Sequence, residues 1–452
     1  MKHATLAEKF NQDIERTTWH DETLWWVRQK RDKQAFSLLE WEELRNAASQ
    51  IKQHTLGNLH DYLLEFEKKA CQNGIQIHWA NDAKEHNEII WKILKKHGIS
   101  ELVKSKSMLT EECGLNVFLE AKGVEVVDTD LGERIVQFRE ETPSHIVLPA
   151  IHLKKEEVSE TFHTHLGTEK GNYDPNYLTE AARDHLRSHF LVKKAALTGV
   201  NFAIAETGEF VVCTNEGNAD MGVHLADVHI ASMGIEKVIP RREHLAVFLR
   251  LLARSATGQP ITTYSSHFQK PREGTEIHVV LVDNGRTRQL AQPDFRDSLK
   301  CIRCGACFNT CPVYRRSGGH SYHTAIAGPI GAILSPNLDR KAHKDLPFAS
   351  TLCGSCTHVC PVKIDIHDQL YAWRQVINKE ERVSLKSTMM RVLSYVLSNS
   401  RWMEWIGKGG RWLMHVFPSL QKTSKNPWVK QREMPDIPKE SFKEWYQKNR
   451  SK

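Results

Sequence analysis

The chain has 452 residues, 40% hydrophobic and 26% charged, which is too long for a single core and has the balance of a folded rather than a disordered protein. A formal charge of +7 spread over that length reads as a solvated surface and sets nucleic-acid binding aside. No apolar run reaches the ~20 residues of a membrane span, and the start MKHATLAEKFNQDIERTTWHDE lacks the apolar stretch of a secretory signal, so a cytoplasmic protein without a transmembrane segment is expected.

Residues 1–65 carry Trp25, Leu38, Leu39, Leu44, Ile51 and Leu59 among charges at helical spacing, which predicts two or three amphipathic helices. Residues 66–285 alternate two kinds of segment. Ile75–Trp79, Val124–Asp128, His145–Leu148, Val200–Ala205, Phe210–Cys213 and Ile277–Val282 read as strands. Ala83–His97, Thr110–Lys122, Thr179–Lys194 and Arg242–Ser255 read as helices. That alternation predicts an α/β domain with a mostly parallel sheet covered by helices. Glu206-Thr207-Gly208-Glu209 is a turn-like link, predicting one antiparallel hairpin in that sheet. Residues 286–298, with Pro293, read as a polar linker, and 299–370 as a cysteine-rich domain. Residues 371–452 form a basic, Trp-rich region, helical to about 417 and irregular around Pro418, Pro427, Pro435 and Pro438.

Seven of the ten cysteines fall between 301 and 360. In a reducing compartment such crowding points to metal rather than disulfides. Cys301, Cys304, Cys307 and Cys311 follow C-x2-C-x2-C-x3-C-P, and Cys353, Cys356 and Cys360 follow C-x2-C-x3-C-P. Three thiolates two residues apart wrap one cubane cluster, and the fourth, after three residues, turns away toward a second cluster. Zinc wants closed tetrahedral sets of paired ligands, which this spacing does not offer. Crosswise exchange of the last cysteines gives Cys301, Cys304, Cys307 and Cys360 to a first [4Fe-4S] cluster, and Cys311, Cys353 and Cys356 to a second. The second set lacks one cysteine, and the missing position is Ser350. A [3Fe-4S] cluster, a four-iron cluster with Ser350 or water on the odd iron, and a ligand from elsewhere are all open.

Outside the cysteines, Glu206 and Glu216 are the candidate catalytic groups. Each follows a short strand in a glycine-containing turn, where open α/β sheets place ligand pockets. Ordinary turn chemistry competes evenly with that reading. His163, His165 and His185 read as exposed histidines rather than a metal site, and Cys71, Cys113 and Cys213 as small core hydrophobes. No dinucleotide fingerprint is present. Arg391, Arg401, Lys408 and Arg411, with Lys386, lie among Trp402, Trp405 and Trp412, a composition suited to docking a partner or to peripheral membrane contact.

At these residues the chain resembles the lactate utilisation iron–sulfur protein family, lactate utilisation protein B. The segments TGVNFAIAETGEFVVCTNEGNADMGVHLADVHIASMGIEKVIP (198–240), SHIVLPAIHL (144–153) and SATGQPITTYSS (255–266) are similar to that family's LUD domain. The resemblance spans nearly the whole chain. It implies a LUD domain of sugar-isomerase and CoA-transferase-like α/β fold, followed by a helical, ferredoxin-like two-cluster domain. It carries the family's cluster ligands onto all seven cysteines. It further implies an electron-transfer role in oxidising L-lactate to pyruvate with two partner proteins, the electron donor and acceptor being unspecified. A catalytic LUD domain acting on a small organic acid, and a scaffold with structural clusters, are the alternatives.

Overall fold

The computed structural model describes residues 2–380, 385–419, 429 and 433–450. It divides into two compact units, Met1–Gln375 and Val376–Lys452. In the first, β1 (Gln76–Ala80), β2 (Glu101–Lys104), β3 (Glu125–Asp128), β4 (Ala195–Gly199), β7 (Val228–Gly234) and β10 (Glu276–Val282) make a six-stranded sheet in the order β1-β10-β7-β4-β2-β3. Every pairing in it is parallel, with Val279 opposite Ala231 and Ala196 opposite His229. Such a sheet is covered on both faces, so its strands are apolar throughout. Val279 and Leu281 of β10 enter one core with Phe66, Phe190 and Phe210. Val280 and Val282 enter the other with Ile90, Leu94, Leu115 and Leu119.

The expected hairpin forms, but in a separate sheet. β5 (Phe202–Ile204) and β6 (Glu209–Thr214) are antiparallel within a four-stranded sheet ordered β8-β5-β6-β9, where β8 is Val238–Ile239 and β9 is Tyr264–Phe268. Gly208 sits at φ +69 in the connecting turn, and a Cβ there would lie 2.3 Å from the Ala70 backbone nitrogen, so the turn packs tightly on the helix Leu59–Gln72.

His145–Leu148, expected as a strand, is a loop. The Nδ1 of His145 accepts the N–H groups of Val147 (3.0 Å) and Leu148 (3.1 Å), so those donors have no need of a ladder. The expected linker 286–298 is folded, with a helix at Arg286–Leu290 and a 3₁₀ turn at Arg296–Lys300. Four helices, rather than two or three, occupy the N-terminal region: Lys2–Asn11, Ile14–Phe36, Trp41–Gly57 and Leu59–Gln72. Their inward faces differ from the apolar stripe expected, because Trp25 and Leu39 are exposed while Arg31, Arg45 and Lys52 are buried.

The second unit has helices at Leu385–Ser398, Ser400–Val416 and Phe442–Asn449. The last was expected to be irregular; Ser441 and Glu444 form a capping box that starts it. Pro427 and the side chain of Lys386 lie outside the described residues. Trp402, Trp405 and Trp412 are exposed in this unit.

Candidate iron–sulfur centre

Two loops with the same backbone carry the seven clustered cysteines. Arg303 (φ 61) and Gly305 (φ 76) flank Cys304 in left-handed conformation, as Leu352 (φ 55) and Gly354 (φ 77) flank Cys353. A single non-glycine residue in this region is uncommon, and two at matched positions mark a shared turn. Each turn opens a one-turn helix, Ala306–Thr310 and Ser355–Val359. Each helix ends on an extended cysteine, Cys311 (φ −73, ψ 117) and Cys360 (φ −64, ψ 118). Pro312 and Pro361 follow and stop the helix. The two short helices pack against each other, so the loops face one another.

Neighbouring segments hold this pair of loops from two sides. Among the N-terminal helices, Arg31 Nη2 donates to the Val359 carbonyl (2.9 Å), and Arg45 donates to the carbonyls of His358 (2.8 Å) and Cys360 (3.0 Å). These are carbonyls at a helix C-terminus, where cations belong. On the other side the loop 144–153 docks on the first cysteine loop. His145 uses Nδ1 as an acceptor, so its ring proton sits on Nε2 and is donated to Asn309 Oδ1 (3.0 Å). Tyr314 donates to the Ser144 carbonyl (2.7 Å). Burial pushes His145 down to about 3, so it stays neutral.

The residues fit iron–sulfur clusters. None of the seven is in a disulfide; five are buried, Cys301 is half-buried and Cys353 is exposed. Backbone N–H groups of Arg303, Tyr314 and Ile364 point at the sulfurs of Cys301, Cys311 and Cys360, at 3.4, 3.5 and 3.4 Å. Such donors stabilise and tune sulfur ligands. Burial pushes the Cys304 thiol up to about 12, and nearby Cys301 and Cys360 push the same way. Burial likewise takes Cys356 to about 12, with Cys311 and Cys353 as neighbours. Burial opposes ionisation of Cys353, but the Ser355 N–H and the Thr351 side chain outweigh it and bring its thiol below the usual range. Buried thiols crowded against one another ionise readily only with a cation to share, which is what metal supplies.

A cavity of about 500 Å³ opens at the carboxyl ends of the parallel strands and runs to Arg303 and Cys304 of the first cysteine loop. Glu216, Lys106, Asp130, Lys237 and Glu236 line it. Glu216 is an exposed residue on the cavity wall whose carboxylate is crowded by protein on one side. Burial and the nearby Asp130 raise it to about 7, against the pull of the Leu131 N–H at 3.2 Å and of Lys106. Lys106 is bound to Asp130 at 2.7 Å. Burial lowers Lys237 to about 8, partly offset by Glu236. Glu236 is held near 2 despite burial, because Arg286, Lys237 and Arg303 surround it. Of the lining cations, Arg286 is committed to Glu236 (2.5 Å) and Glu112 (2.9 Å), whereas Arg303 makes a looser ion pair with Glu236 through Nη2 (3.7 Å) and its Nη1 is buried without a hydrogen bond.

The candidates named from sequence therefore separate. Glu216 lies in the cavity, but Glu206 does not: it is exposed and accepts the Arg242 N–H (3.1 Å) at the start of the helix Arg242–Ala256. His163 and His165 are exposed as expected, but His185 is half-buried, because its ring packs on Phe138 and lies 2.9 Å from Arg134 Nη2. Cys113 is buried as expected, Cys213 lines the cavity, and Cys71 is exposed on the outer side of its helix. Among the described residues one group has ligand atoms within 4.8 Å of each other, His97, Glu276 and His278, but Lys96 already lies 3.5 Å from that carboxylate. The N-terminal arginines and the cavity cations were missed. The arginines' contacts cross some three hundred residues, and those of Lys106 and Arg303 in the cavity cross 24 and 67, so no local pattern marks either group.

A family model described as LUD domain matches residues 63–289, and one described as 4Fe-4S dicluster domain matches 297–364. "Lactate utilization protein B" of Macrococcus caseolyticus is 42% identical over 438 residues, 93% of this chain and 91% of that protein. The protein of that name from Oceanobacillus iheyensis is 41% identical over 93% of this chain and 90% of its own length. "Uncharacterized electron transport protein YkgF" of Escherichia coli K12 is 38% identical over 93% of this chain and 91% of its own. A solved structure of a DUF162 family protein from Deinococcus radiodurans covers 50% of this chain and 98% of its own at 16% identity, with a TM-score of 0.27. With a LUD domain and a dicluster domain in that order, and relatives matched along nearly their whole length, this chain belongs to the lactate utilization protein B family.

Proposed function

We propose that this chain passes electrons during oxidation of L-lactate to pyruvate, alongside two other lactate-utilisation proteins. Cys301, Cys304, Cys307 and Cys360 hold a first [4Fe-4S] cluster, and Cys311, Cys353 and Cys356 hold a second. When bound, each cluster supplies one-electron transfer. The chain's own residues set its geometry and charge. The carrying observation is the crosswise neighbourhood of the thiols: Cys304 has Cys301 and Cys360 beside it, and Cys356 has Cys311 and Cys353. Backbone N–H groups stabilise the thiolates, and Arg31 and Arg45 place positive charge over the loop ends, easing reduction. The basic, Trp-rich second unit docks a partner. Anaerobically purified protein is expected to contain about eight irons per chain with matching sulfide. Its electron-paramagnetic-resonance signals should appear when lactate and the partner proteins are added. Colourless or zinc-loaded protein overturns the proposal, and clusters that never change oxidation state reduce the chain to a scaffold.

The cavity favours a second reading, in which the LUD domain binds a small organic acid and the first cluster serves it. Arg303 and Lys237 offer cations to a carboxylate, and Glu216, near 7, holds or releases a proton around neutrality. Glu216→Gln should then cut turnover at least tenfold while both clusters remain reducible by dithionite. Undiminished turnover removes this reading and leaves the relay.

A further inference from the structure

We infer that Ser350 is the fourth protein ligand of the second cluster, through its side-chain oxygen. The inference rests on the two-cluster reading above and goes on to name the atom that completes it.

The two cysteine loops match residue by residue in spacing and in the positions of their left-handed residues. Cys304 pairs with Cys353, Cys307 with Cys356 and Cys311 with Cys360, and the left-handed pairs Arg303/Leu352 and Gly305/Gly354 fall at the same steps. The residue in the place of Cys301 is then Ser350. A shared hydrogen bond carries the match down to the atom. In the first loop the Arg303 N–H donates to Cys301 Sγ at 3.4 Å. In the second the Leu352 N–H donates to Ser350 Oγ at 3.1 Å, the shorter length that oxygen requires. The serine oxygen therefore stands where the first loop presents its ligand sulfur.

The surroundings hold it there. Arg374 donates to the Ser350 carbonyl (2.7 Å) and to the Pro347 carbonyl (2.9 Å), fixing the backbone and bringing a cation to the residue. The neighbouring hydroxyl is already engaged, because Thr351 hydrogen-bonds Cys353. The His367 ring is turned to Thr357, with Nδ1 2.8 Å from its hydroxyl. On ligation the Ser350 O–H bond breaks as the Fe–O bond forms. The proton passes to water, which the half-buried side chain can reach. No oxidation state changes. Oxygen binds iron less softly than thiolate does, so this iron is the one most easily lost to oxidants.

The test uses full-length protein purified without oxygen, as wild type, Ser350→Ala and Ser350→Cys, with iron per chain and electron-paramagnetic-resonance spectra as readouts. Wild type is expected to hold two four-iron clusters. Ser350→Ala should lose about one iron per chain and gain the signal of an oxidised three-iron cluster, leaving the other cluster's signal unchanged. Ser350→Cys should keep all its iron and shift the midpoint potential of one cluster only. Full iron with unchanged spectra in Ser350→Ala overturns the assignment, as does a stoichiometric three-iron signal in wild type. If Ser350→Ala does not fold, Ser350→Cys decides, and unaltered potentials count against the ligand. Wild type without iron defeats the two-cluster reading itself, a separate outcome.

Discussion

Arg45 is 7% exposed and its guanidinium meets two carbonyls, those of His358 and Cys360, where a short helix ends beside a cluster cysteine. A reduced cluster carries one more negative charge than an oxidised one, so a fixed cation there favours reduction. Arg45→Gln should therefore lower the midpoint potential of the cluster that Cys360 serves and leave the other in place, as read by redox titration. Equal shifts in both clusters would make Arg45 a packing residue. His145 gives a pH dependence whose sign is fixed. Its folded value, about 3, lies below the unfolded 6.5, so its stabilising contribution is complete above pH 6.5 and fades as pH falls toward 3. His229, also lowered by burial to about 3, acts in the same sense. Thermal melts should show stability falling below pH 6.5 by up to ~1.4 kcal/mol per pH unit for each such histidine. His145→Gln should flatten part of that slope, and an unchanged slope would deny His145 this role.

The docking of loop 144–153 depends on backbone approaching backbone. A Cβ on Gly319 would lie 1.7 Å from the Ser144 carbonyl oxygen, so Gly319→Ala must push the two segments apart. The expected cost is about 1–3 kcal/mol, with weaker iron retention; a melting temperature within a degree of wild type would show that the contact is dispensable. At this scale the sequence was legible where chemistry enforces short spacing. The cysteine loops could be read because ligands of one cluster must recur every three or four residues, and Ser350 stood out as the gap in that rhythm. β7, VHIASMG, and β4, AALTG, went unread. Both are buried on two faces, so they show no alternation, and β4 starts three residues after Val192, where the preceding helix ends. His145–Leu148 has the composition of a strand but spends its donors on its own histidine ring. Glu216 was picked from its turn, whereas Lys237 and Arg303 join it only through folding.

At the scale of the chain, the sheet, the N-terminal helices and the cysteine loops belong to one unit, and the tail is a second. No helix among the described residues is long and apolar enough to cross a membrane. Within the tail, Arg411 pairs with Glu444 (3.2 Å) and Lys443 with Glu404 (2.9 Å), while Trp402, Trp405, Trp412 and Trp445 are exposed. A chain ended after Glu380 should keep its iron and sulfide but fail to co-purify with the partner proteins; undiminished co-purification would place docking elsewhere. The arginine contacts on the second cysteine loop have a consequence for biogenesis. A ribosome releases Arg45 315 residues ahead of Cys360, so the grip is finished long before the thing it grips exists. On the proposed ligand assignment each cluster draws on the second cysteine loop, so neither can be completed on a ribosome that has not yet reached that loop.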